Sequence, residues 1–217
     1  MMQKPSLRDI VSFVMGLVLV TFGMALYAKS AMGTAVMASL AYVLSGKLTM
    51  FTIGVWTYIV QGLVMLIMIA IIRKVKIEYL FSFVSSILAG YMIDFFLYCF
   101  RGISIEALYV RILLYVVGYV ILTVGVGALM LTRLPIPPFD LFLREVSRYK
   151  NISIQKVKLR TDIIVLLLGV ILSFALFGGL AGIGVGTFVA ALTNGPTIQW
   201  MHKRWVRILE NVPMLRV

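Results

Sequence analysis

The chain has 217 residues, of which 62% are hydrophobic and 13% charged, and it carries a formal net charge of +12. Soluble domains hold roughly 45–50% apolar residues, so this composition excludes an ordinary soluble fold and indicates an integral membrane protein. The positive charge does not make a nucleic-acid surface, because Lys and Arg gather at the ends of apolar runs and not on one polar face.

Met1 to Arg8 is polar, and the first apolar run leads into Lys29 without a small-residue cleavage site, so this segment is expected to be retained. Windows at 10–28, 50–72, 79–100, 107–131, 162–178 and 181–200 can each cross a membrane. A ~30 Å hydrocarbon core takes roughly 20 apolar residues at helical rise. Lipid offers the backbone no hydrogen-bond partner, so every span is read as a helix. Two segments, Gly33 to Gly46 and Pro135 to Lys150, are shorter than a span. They suit re-entrant or interfacial helices, and the second carries Asp140, Arg144, Glu145 and Arg148. After residue 200 a basic stretch with His202, Lys203, Arg204, Trp205 and Arg207 reads as an amphipathic cytoplasmic tail, 201–217, lying on anionic lipid.

The first half recurs in the second. Gly16, Val18, Thr21 and Gly23 match Gly118, Val120, Thr123 and Gly125 at a constant offset of 102. The offset grows to 104 (Thr57 with Thr161) and then to 105 (Gly90 with Gly195), as duplication with small insertions would leave it. The chain is therefore read as a single all-α polytopic membrane domain, 1–217, with repeat 1 at 9–100 and repeat 2 at 107–200.

If neither short segment crosses, each repeat has three spans and the two are inverted relative to each other. Six spans with the N-terminus inside put 16 of the 20 Lys and Arg inside and leave Lys29, Lys47, Arg101 and Arg111 outside. If both cross, eight spans form parallel repeats with 15 inside. Charge separates the two poorly, whereas segment length and the polarity of the second segment favour six. Both termini are then cytoplasmic, in a bacterial inner membrane.

The chain resembles the YczE/YyaS-type bacterial membrane proteins over nearly its whole length. The resemblance is carried by Gly16 and Gly23, Ala31-Met32-Gly33-Thr34, Ile53-Gly54-Val55-Trp56, Lys158 through Asp162, Gly182 through Thr187, and Gly195-Pro196. It implies the architecture and no particular activity.

Charged groups at membrane depth cost ~2.5–3.5 kcal/mol on insertion scales, so they persist where paired or wetted. Asp140 and Asp162 are the leading candidates for a proton or cation site. Lys158 shares a helix face with Asp162, while Arg160 turns away. The plain structural reading is an interfacial ion pair with a snorkelling Arg160. Asp94 and its counterpart Gln199 are polar in apolar helices, and Trp56 and Gln61 form an aromatic and polar patch opposite the charged one. Thr187, Thr193 and Asn194 could line a cavity, and both short segments, at Gly33-Thr34 and at Pro135 to Pro138, open like helix starts whose N–H groups suit an anionic or polar ligand. The lone Cys99 excludes an internal disulfide. One histidine without cysteine partners gives no metal or cofactor pattern, and no Ser/His/Asp set supports an enzyme.

The function expected is a small secondary transporter or facilitator for a polar small molecule, proton-linked through Asp140 and Asp162. A substrate-binding subunit of an ATP-driven importer and an accessory membrane protein that regulates a partner are the alternatives.

Overall fold

A computed structural model describes residues 6–210, and all regular structure among them is helical. The helices are α1 (Leu7–Ser30), α2 (Val36–Lys47), α3 (Ile53–Ile72), α4 (Ile77–Cys99), α5 (Leu108–Leu129), α6 (Pro138–Lys150), α7 (Ile154–Phe177) and α8 (Val185–Glu210). Five of them, α1, α3, α4, α5 and α7, are long and apolar enough to cross a membrane. Helix α8 has 26 residues but is not among the five, because Asn194, Gln199 and a run of basic residues interrupt its apolar character.

Two boundaries differ from the sequence reading. Helix α7 begins at Ile154, eight residues before the expected span at 162, so Lys158, Arg160 and Asp162 lie within one continuous helix. Helix α8 continues through the expected tail as far as Glu210, carrying Pro196 inside it. Trp205 there donates to the Val124 carbonyl at 3.1 Å, and Met201, His202 and Trp205 crowd Gly127. This part of the expected tail packs on α5 because glycine leaves the facing surface open. The rest of it, from residue 211, lies outside the described residues.

Helix ends have local causes. Ser6 and Asp9 form a capping box on α1, and Thr52 caps α3 through the Val55 N–H. The chain leaves α7 through Gly178 at φ 70°, a left-handed conformation open to glycine without steric cost.

Helix directions follow from which residues meet. Gly16 lies against Gly125 and Gly23 against Gly118, so α1 and α5 cross antiparallel with their backbones in close contact. Phe13 lies with Phe81 and Val84, and Phe22 meets Phe96 and Phe100, which runs α1 alongside α4 in the same direction. Tyr115 bonds the Gly186 carbonyl and Tyr119 pairs with Thr197, so α5 and α8 run together. Helix α3 is antiparallel to α4, with Gly54 on Gly90, and α7 is antiparallel to α8. Helix α2 packs between α3 and α7, as does α6.

Candidate functional site

The two short helices start without side-chain caps, at Ala35 and Pro137. Extended approaches are pinned first. The Thr34 N–H donates to Thr187 Oγ1 at 3.1 Å, and Thr34 Oγ1 donates to the Gly182 carbonyl. On the other side Ser85 donates to the Pro135 carbonyl at 2.7 Å, and Ser82 to that of Ile136. Hydroxyls of α8 and α4 thus hold the two turns, and glycines at 184 and 186 let the first turn approach the start of α8 closely.

From these anchors the first residues of α2 and of α6 reach one cavity of about 80 Å³, walled mainly by apolar side chains of α1, α4 and α5. Its polar wall consists of Thr21, Thr57, Gln61, Asp140, Lys158 and Asn194. Gln61 and Asn194 are 8% and 3% exposed, and their amide oxygens have no hydrogen-bond partner. A buried orphan acceptor is costly, so two at one cavity mark a place that a solute or water completes. Asp140 is 8% exposed and sits in the first turn of α6, where the helix dipole favours a carboxylate.

Lys158 is spoken for. Its ammonium meets both carboxylate oxygens of Asp162 at 2.5 and 2.6 Å and lies 4.9 Å from the centre of the Phe139 ring. Asp162 is fully buried, so the pair lies inside the bundle. Lys158 and Ile198 also line a second cavity of about 270 Å³, whose wall includes His202 and Lys203. The positions that the sequence offset matches to it in the first half pack tightly. There Gly54 and Gly90 bring α3 and α4 into backbone contact, and Asp94 accepts from Thr52 Oγ1 at 2.6 Å and from the Gly54 N–H at 2.9 Å.

The structure therefore brings together Asp140, Lys158, Gln61 and Asn194 at the cavity, with Asp162 behind Lys158. Five expected site residues lie elsewhere. Arg160 is exposed on the outer face of α7 because it stands two residues from Lys158, about 200° round the helix. Trp56 donates to the Leu48 carbonyl and packs edge-on against Phe51. Asp94 is occupied at the start of α3, and Thr34 with Thr187 forms the turn anchor. Phe139, beneath the Lys158 ammonium, carried no polar signal in the sequence; its place beside Asp140 in the first turn of α6 was the available clue.

These features define a polytopic α-helical membrane protein with two short helices meeting at a buried, partly polar cavity. Residues 7–203 match the model of a family of unknown function (DUF6198), and the chain belongs to that family. Neither a curated protein nor a solved structure matches it.

Proposed function

We propose that the protein is a small secondary transporter or facilitator of a polar small molecule in a bacterial inner membrane, with both termini cytoplasmic. The cavity at the starts of α2 and α6, with its two orphan amide oxygens and Asp140, carries this reading. Discontinuous helices whose N-termini meet near the middle of a bundle are how many transporters hold solute. Asp140 is the group available for coupling to protons, because Lys158 already holds Asp162.

Six crossings by α1, α3, α4, α5, α7 and α8, in two inverted repeats, form the framework. The antiparallel meeting of α1 and α5 supports it, since eight crossings in parallel repeats would run these two helices the same way. The packing supports it as well: exchanging α1–α4 for α5–α8 turns each helix contact into another, α2 on α7 becoming α6 on α3. The marks shared with YczE/YyaS-type proteins fit the same framework, as does anionic lipid at the basic end of α8.

Purified protein reconstituted in liposomes with an internal pH dye tests the reading. Solutes that drive a pH change in wild-type vesicles, and none in Asp140→Asn vesicles, are expected. Vesicles that remain impermeable to every solute that stabilises the protein would overturn it.

A further inference from the structure

The two poles of the cavity are unequal. Helix α6 brings Asp140 in its first turn, so its dipole is answered from within, and the carboxylate makes no hydrogen bond or ion pair among the described residues. Helix α2 has 12 residues, no acid in its first turn and no side-chain cap, and Ala38 stands where Asp140 stands in α6. Its N–H groups leave a partial positive charge, of the order of half an elementary charge, facing the same space. Lys158 adds no free cation, since Asp162 takes its ammonium. Gln61 and Asn194, both more than nine-tenths buried, offer unpartnered oxygens there.

A simple anion would meet the Asp140 carboxylate in a low-dielectric space. A simple cation would satisfy Asp140 and leave the α2 N–H groups without an acceptor. We propose that this cavity binds a small zwitterion, its ammonium at Asp140 and the Gln61 and Asn194 oxygens and its carboxylate at the uncapped first turn of α2. The inference rests on the transport reading and names its substrate class. The apolar remainder of the wall accommodates a short methylene spacer and excludes further charge.

The test is thermal stabilisation of the purified protein by glycine, β-alanine and 4-aminobutyrate, set against propylammonium, propionate and propionamide. At least one zwitterion is expected to raise the melting temperature and to bind at least tenfold more tightly than either single-charge analogue. Asp140→Asn should remove that response. Ala38→Asp, which places an acid in the first turn of α2, should remove it while retaining binding of propylammonium. The proposal fails if propylammonium, propionate or propionamide matches the zwitterions, or if none of the six compounds stabilises the wild-type protein. Uptake of radiolabelled zwitterion into proteoliposomes separates this from the broader reading. Binding without uptake overturns transport and leaves the zwitterion site standing, whereas uptake of propionamide or propionate without zwitterion binding overturns only the class.

Discussion

Asp9 and Arg111 stand 102 residues apart and hold the two ends of the α1–α5 crossing by opposite means. Asp9 Oδ1 accepts from the Arg133 N–H at 2.9 Å, and Arg111 Nη2 donates to the Ala31 carbonyl at 2.6 Å. Ala31 and Arg133 are also 102 apart, so side chains separated by this offset reach peptides separated by the same offset, with reversed charge and reversed backbone partner. This is the arrangement that a two-fold relation between the halves would leave after the side chains diverged.

Six crossings place Lys47 and Ser104 outside and Lys74 inside, and all three are exposed. In a variant lacking Cys99, single cysteines at 47 and 104 should react with an impermeant thiol reagent on intact cells, and one at 74 should not. Eight crossings reverse all three results.

The α1–α5 crossing depends on glycine. A Cβ at Gly23 would meet the Leu122 N and the Gly118 O, and one at Gly125 would meet the Val20 N and the Gly16 O, backbone atoms that have nowhere to go. Gly23→Leu or Gly125→Leu should therefore cost about 3 kcal/mol, the upper part of the usual overpacking range, and reduce the yield of folded protein. Gly102→Ala, with open space around it, should melt like wild type. Normal melting of both leucine variants would remove this crossing from the fold.

Asp162 and Asp140 should respond differently to the same change. Asp162→Asn strands the buried Lys158 ammonium, and breaking a buried pair costs about 3–5 kcal/mol. Replacing both Lys158 and Asp162 by Met should recover most of the loss. Asp140→Asn breaks no such pair, so its melting temperature should stay close to that of wild type. Equal destabilisation by the two single variants, read by denaturation in detergent, would contradict this division of roles.

Asp94 fixes the start of α3 through Thr52 and Gly54. Asp94→Ala should cost about 1.5–3 kcal/mol, the range for hydrogen bonds to a charged group, and Thr52→Ala about 1 kcal/mol as a lost cap. The double variant should cost less than their sum, because Thr52 and Asp94 bond each other. Additive losses in chemical denaturation would mean that the two act separately.

Acid should weaken one ion pair. Burial alone would raise the Glu145 carboxyl, but the Lys76 ammonium at 2.8 Å, with Arg144 and Arg148 nearby, holds it below its ordinary 4.5; Tyr79 faces it as well. A depressed carboxyl stabilises the fold above its unfolded value, and that contribution is lost as pH falls below 4.5 and through the folded value. Lys76 is half-exposed, so the contribution is at most ~1 kcal/mol. Glu145→Gln should melt slightly lower than wild type at pH 7 and converge with it in acid. A gap that widens in acid would show the sign to be wrong.

The amino-acid sequence by itself determined the membrane class, the order of the long helices, the two short segments and the Lys158–Asp162 face. Each depends on local pattern: runs of about twenty apolar residues, interruptions by charge, and a spacing of four along a helix. It also carried the offset that aligns Gly16 and Gly23 with Gly118 and Gly125. Which polar groups share a cavity was decided only by the tertiary structure. Gln61 and Asn194 come from α3 and α8, whose relative placement depends on distant crossings such as Gly16 with Gly125, and no periodicity within either helix encodes that meeting. For the same reason Asp94, polar in an apolar helix as a site residue would be, was found capping α3, and Trp205 was found on the Val124 carbonyl. Helix propensity and amphipathic faces are local properties, whereas a binding site in a bundle is set by how closely backbones cross.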